Sequence, residues 1–205
     1  MSATRGFGAA VLIAAAATVL VSCRTLPLPS PLPPQTLSPA TGCHVGVLGD
    51  SLTMSVQPLM PAALEAEDCE QVWTDGSIGR TTAQGVDVLV RRQADGELPA
   101  VLVVGLGTND EHRTAEFARH VDRVMEIMAG RPVVWIELAH DPVKVELNAV
   151  LRRKAAHYAN LTIMDWDRAY WTHDEWRASD SVHLTAEGAD ERARAIAQAA
   201  GRVAK

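Results

Sequence analysis

Val45-Gly46-Val47-Leu48-Gly49-Asp50-Ser51-Leu52 is where the fold class is written into this chain. Its first five residues, glycine and branched apolar side chains, read as a short buried strand. Gly49-Asp50 then forces a sharp turn, and a serine stands just before a helix-like segment. In open α/β sheets that junction is the carboxyl edge, where ligands bind and where the partial positive charge of a helix start collects. A serine there suits a nucleophile. It also suits an N-cap, so the stretch alone leaves a capping serine as the plainer reading.

Working outward, the pattern of strand followed by helix repeats. Strand-like runs are Val45 to Leu48, Gln71 to Thr74, Ala100 to Leu106, Pro132 to Leu138 and Leu161 to Met164. Between them lie helix-like stretches, Val56 to Glu67, Ala83 to Ala94, Thr114 to Ala129 and Val143 to Ala159, and a last amphipathic run spans Thr185 to Ala200. The third stretch shows Phe117, Val121, Val124, Met125 and Met128 at helical spacing, and the fourth shows Leu147, Leu151, Ala155 and Tyr158. Strands apolar on both faces that alternate with helices predict a parallel sheet covered on both sides. The expected architecture is a three-layer α/β/α sandwich with five parallel strands in the flavodoxin-like order 2-1-3-4-5. No internal repeat is visible.

The chain of 205 residues is 47% hydrophobic and 21% charged, enough for one domain with a real core. A net charge of -6 excludes an electrostatic footprint for nucleic acid and favours glycan, lipid or small-molecule partners. Residues 1–22 carry one early cation, Arg5, and an alanine-rich apolar run from Phe7 to Val21 ending in small residues, the layout of a secretory signal. Leu20-Val21-Ser22-Cys23 resembles the lipobox of bacterial lipoproteins, in which the cysteine is lipidated and becomes the mature N-terminus. A plain cleaved signal or an uncleaved anchor is the alternative, and each places the domain outside the cytoplasm. Residues 23–40 hold six prolines and no hydrophobic period, and read as a semi-rigid tether at about 3 Å per residue. The folded domain is therefore expected over 41–205.

Cys43 and Cys69 each precede a predicted strand, the first and the second. At neighbouring positions on the amino edge of the sheet, in an exported chain, they are expected to form a disulfide that contributes on the order of 3 kcal/mol. Two buried thiols are the alternative.

Four segments at the opposite edge contain the residue types that acyl transfer requires. Ser51 follows the first strand. Gly79, in Asp75-Gly76-Ser77-Ile78-Gly79-Arg80-Thr81-Thr82, follows the second, and a glycine lets its backbone N–H approach a ligand without a Cβ in the way. Asn109, in Gly105-Leu106-Gly107-Thr108-Asn109-Asp110, follows the third, and its amide can donate to a developing oxyanion. Asp180 and His183, in Ser179-Asp180-Ser181-Val182-His183-Leu184-Thr185, precede the last helix. A carboxylate three residues before an imidazole can hold one ring N–H while the other ring nitrogen faces the serine. Asp50 is expected in a turn or cap and Asp110 as the cap of the next helix. The remaining histidines, His44, His112, His120, His140, His157 and His173, show no metal-ligand spacing, so neither a metal nor a cofactor is expected.

With these four blocks in order, the sequence resembles the SGNH (GDSL-type) hydrolases over about residues 44 to 200. The resemblance implies Ser51 as nucleophile, His183 as general base and Asp180 as its orienter. It further implies an oxyanion hole made by the Ser51 N–H, the Gly79 N–H and the Asn109 side chain. Gly76 lies in the same block, and Gly79 is preferred because Gly-Arg-Thr resembles the family's spacing there. Asp165-Trp166 and the segment from Asp180 to Thr185 resemble extracytoplasmic SGNH domains fused to membrane acyltransferases, including those that O-acetylate peptidoglycan. Trp166, Trp171 and Trp176 crowd the segment from Asp165 to Ser179, which is expected to wrap across the strand ends and bring His183 to Ser51. Trp171 and Trp176 could stack on a sugar ring or pack the loop onto the core.

The reading that follows is an exported, lipid-anchored serine esterase acting on an acylated cell-envelope glycan, lipid or small molecule, the acyl group being short. An O-acyltransferase, with a sugar hydroxyl in place of water, uses the same residues. An inactive carbohydrate-binding module is the third reading. No nucleic-acid or protein partner is predicted.

Overall fold

A computed structural model describes residues 42–139 and 143–205 of the chain. The expected signal, the expected lipobox at Cys23 and the expected proline-rich tether lie outside the described residues. Five parallel strands, β1 (His44–Gly49), β2 (Glu70–Gly76), β3 (Val101–Gly105), β4 (Val133–Ile136) and β5 (Leu161–Met164), form one sheet in the order β2-β1-β3-β4-β5. The observed order is the one expected from the alternation of strand and helix.

Side chains alternate between the two faces of a strand, and both faces of this sheet are buried. Val45, Val47, Val101, Val103, Val134 and Ile136 face one layer, which is built from α1 (Ser51–Val56), α2 (Met60–Glu65), α6 (Trp166–Thr172) and α7 (Ala186–Val203). Leu48, Leu102, Val104, Val133 and Trp135 face the other, built from α3 (Thr82–Ala94), α4 (Thr114–Met128) and α5 (Lys144–Ala155). All five α4 residues of the predicted stripe are buried in that second core. Phe117 meets Trp135 edge to face at 5.7 Å, so truncating Phe117 would cost about 3–5 kcal/mol.

Four elements differ from the sequence expectation. The helix expected from Val56 to Glu67 is two short helices, α1 beginning at Ser51 and α2, joined by a 3-10 turn over Gln57–Leu59. Pro58 and Pro61 lack the N–H an unbroken helix would use, and each opens one of the later pieces. Helix α5 stops at Ala155, four residues short, and α7 continues to Val203. The segment after Asp165 is helical in part, with α6 followed by a 3-10 turn over Asp174–Trp176. Trp166 and Tyr170, four apart and both buried, hold α6 to the core.

Cys43 and Cys69 are joined by a disulfide across 26 residues, just ahead of β1 and β2. It lies at the amino edge of the sheet, away from Ser51. No helix among the described residues is long and apolar enough to cross a membrane.

Candidate active site

Ser51 is the first residue of α1, directly after β1 and the capping residue Asp50. The turn is tight because β1 ends in glycine. A Cβ on Gly49 would stand 1.8 Å from Thr53 Oγ1 and 2.8 Å from the Gly105 carbonyl. Asp50 is buried, and its Oδ1 accepts from the Leu52 N–H at 3.0 Å while its carbonyl accepts from Met54. The Ser51 N–H, in the first turn, has no helical carbonyl to bond. Burial pushes the Asp50 carboxyl upward, opposed by the Arg192 guanidinium, the Leu52 N–H and the Thr108 hydroxyl.

His183 reaches this serine from the other end of the chain. Its Nε2 lies 3.1 Å from Ser51 Oγ, and its Nδ1 lies 2.7 Å from Asp180 Oδ2. Asp180 Oδ1 also accepts from the backbone N–H of His183 at 2.9 Å and of Val182 at 3.0 Å. The hydrogen bond from His183, followed by these two backbone bonds, holds the Asp180 carboxyl well below the usual carboxylate range. An ionised carboxylate only accepts, so Nδ1 carries the ring proton and Nε2 is left to accept from the Ser51 hydroxyl.

The loop is pinned at both ends. Arg177 and Leu184 form an antiparallel bridge, Ala178 N–H donates to the His183 carbonyl at 3.0 Å, and Ser181 takes a left-handed φ of 55° at the bend. Thr185 then caps α7 by accepting from Gly188. Trp176 is stacked between Trp166, at 5.9 Å, and His173, at 3.8 Å. These stacking contacts pack Trp176 into the loop. Trp171 is 39% exposed, donates its indole N–H to the Ala139 carbonyl at 2.9 Å, and has Lys144 and Arg177 over its ring at 4.6 and 4.8 Å.

On the other flank, Gly79 adopts φ +68° in an exposed turn where an added Cβ would meet nothing within 4 Å. The requirement is therefore one of backbone conformation. Gly76 is the last residue of β2, packed against the backbone of Met54, and the turn that carries a left-handed residue is at Gly79. Asn109 donates from Nδ2 to the Arg80 carbonyl at 3.1 Å, which ties its amide to that turn.

Arg80, in the same block as Gly79, has a structural role that its position in the sequence does not announce. It donates from Nη1 to the carbonyls of Gly49, at 3.0 Å, and Asp75, at 2.7 Å, and from Nη2 to the Asp75 carboxylate at 2.7 Å. A single guanidinium thus joins the ends of β1 and β2 to the Gly79 turn. Asp110 also corrects an expectation. It caps no following helix, since Arg113 precedes α4, and it accepts instead from the N–H and hydroxyl of Thr82 at the start of α3. Among the described residues no group of His, Cys, Asp and Glu converges to hold a metal ion.

The strand order and this edge define the class: the chain has the fold of the SGNH (GDSL-type) hydrolases. Among solved structures it is similar to TesA, with a TM-score of 0.67 and 17% identity over 79% of this chain and 99% of that one. It is likewise similar to the C-terminal catalytic domain of Streptococcus pneumoniae peptidoglycan O-acetyltransferase A (OatA), with a TM-score of 0.60 and 16% identity over 78% of this chain and 91% of that one. In sequence it is 23% identical over 161 residues to the Bacillus subtilis (strain 168) protein named "Putative peptidoglycan O-acetyltransferase YrhL". That match covers 78% of this chain and 24% of the relative, so the chain spans about a quarter of the curated relative's length. No family model matches the chain.

Proposed function

We propose that this chain is an extracytoplasmic serine esterase that removes a short acyl group from a cell-envelope glycan. The observation that carries the reading is the relay of Asp180, His183 and Ser51, with contacts of 2.7 and 3.1 Å. Ser51 Oγ attacks the ester carbonyl as its proton passes to His183 Nε2. Asp180 stays ionised and stabilises the imidazolium that forms. The oxyanion is received by the N–H of Ser51, the N–H of Gly79 and the side-chain amide of Asn109. His183 then protonates the leaving alcohol, and water, activated by the same imidazole, releases the acid from the acyl-enzyme.

An O-acyltransferase is the second reading. It is favoured by the likeness to the pneumococcal domain and to the Bacillus protein, both named for peptidoglycan O-acetyl transfer. The relay is open, with the His183 and Asp180 side chains 48% and 51% exposed, which leaves room for a polymeric ester or acceptor. Trp171, 39% exposed and with Arg177 of the His183 loop over its ring, would suit the rim of a glycan site. Lipidation of Cys23 would hold the domain at the outer face of a membrane through the proline-rich tether.

The test supplies an acylated donor with and without a glycan acceptor. Free acid that does not depend on acceptor supports the esterase, and acylated glycan that rises with acceptor supports the transferase. Full turnover by Ser51→Ala in either assay would discredit both. Palmitate labelling that is lost in Cys23→Ala supports the anchor, and absence of label removes it.

A further inference from the structure

Arg192, on α7, is the cation this fold buries most deeply beside the site. It is 2% exposed, and its guanidinium lies 5.0 Å over the ring of Trp166. It reaches the end of β3, where a Cβ on Gly105 would stand 3.4 Å from Nη2 and 2.9 Å from Thr53 Oγ1. Glycine at the ends of β1 and β3 thus makes room for Thr53 and Arg192 directly beneath the nucleophile turn. Nε and Nη1 of Arg192, Oδ2 of Asp50, Oγ1 of Thr53 and the Tyr170 hydroxyl are all buried without a protein hydrogen-bond partner.

A buried guanidinium is retained only where an opposite charge compensates it. Burial lowers the Arg192 pKa to about 10, and Asp50 is the largest opposing influence, ahead of Tyr170. Arg192 is in turn the largest influence that opposes the burial of Asp50. The Thr108 hydroxyl and the Leu52 N–H also act on Asp50, more weakly than Arg192, while Arg80 is engaged with Gly49 and Asp75, Asp110 with Thr82, and His183 with Ser51 and Asp180. Arg177 and Asp180 also act on Tyr170. Asp50 and Arg192 are therefore each the main influence opposing the other's burial, and both lie beneath the nucleophile turn.

We propose that Arg192 is a positioning residue for the nucleophile, neutralising the Asp50 carboxylate so that the Ser51 N–H meets the oxyanion without a bare negative charge one residue away. An unopposed Asp50 has two outcomes, each costly to the reaction. Ionised, it repels the oxyanion. Protonated, it weakens the bond from Leu52 that sets the turn. Arg192 opposes the upward push of burial on Asp50 and compensates the field of the carboxylate when it is ionised. The inference rests on Ser51 being the nucleophile.

The test uses the full chain, a small acyl ester and the variants Arg192→Met, Arg192→Lys and Asp50→Asn. Arg192→Met is expected to lower kcat by about 10- to 100-fold with KM within about threefold. The acid limb of its kcat profile should move to higher pH, with Arg192→Lys lying between it and wild type. In the Asp50→Asn background the Arg192→Met change should no longer move the limb. A folded Arg192→Met with the wild-type kcat and limb overturns the proposal, as does an equal limb shift in both backgrounds. If Arg192→Met does not fold, Arg192→Lys decides: a limb above wild type supports the proposal, and a superimposed one overturns it. Turnover that still depends on Ser51 in every variant separates failure here from failure of the esterase reading.

Discussion

Arg80 donates to the Gly49 carbonyl at 3.0 Å, so the turn carrying Gly79 and the strand that delivers Ser51 are held by one guanidinium. Its partners on both sides are backbone carbonyls and the Asp75 carboxylate, a fork geometry that a lysine does not reproduce. Arg80→Ala and Arg80→Lys should both fold and both lower kcat, the former by about 10- to 100-fold, because the proposed Gly79 N–H donor is displaced. Steady-state kinetics on a small ester, with thermal melts as the control for folding, check this.

In the proposed mechanism Asn109 donates to the oxyanion, and its amide is braced against the Arg80 carbonyl. Asn109→Ala should reduce kcat by about 100- to 1,000-fold and leave KM nearly unchanged, as loss of a donor used only in the transition state does. A loss expressed in KM alone would reassign Asn109 to substrate binding.

Asp180 fixes the His183 tautomer, so Asp180→Asn should drop kcat by about 10,000-fold with the fold intact. It also carries a pH signature. The native carboxyl is held below its unfolded value of about 3.9, so its contribution to stability is present above that pH and is lost as pH falls through the native value. Melting temperature should therefore fall more steeply on acidification below about pH 4 in wild type than in Asp180→Asn.

The Cys43–Cys69 bond lies at the edge of the sheet remote from Ser51, so its removal should separate stability from activity. Cys43→Ser with Cys69→Ser should lose on the order of 3 kcal/mol in denaturant titration and keep kcat near wild type at temperatures where it stays folded.

The sheet and its order were legible because strands buried on both faces leave unbroken Val and Leu runs, while α4 shows its apolar stripe from Phe117 to Met128. The relay residues were legible because each stands at a fixed offset from a strand end or a helix start. What escaped was tertiary. Nothing local announces that Arg80 clamps two strands, that Asp110 reaches 28 residues back to Thr82, or that Arg192 turns inward from α7. The split at Pro58 and Pro61 was readable from the prolines, and α6 from the spacing of Trp166 and Tyr170, but crowded tryptophans made that segment look like a loop.

Covalent trapping with a serine-directed phosphonate, followed by mass mapping of the adduct, bears most closely on whether Ser51 is the nucleophile. The adduct should sit on Ser51 in wild type, and its formation should be strongly slowed in His183→Ala. A label on any other residue, or ester turnover that persists while Ser51 stays unmodified, would contradict the mechanism.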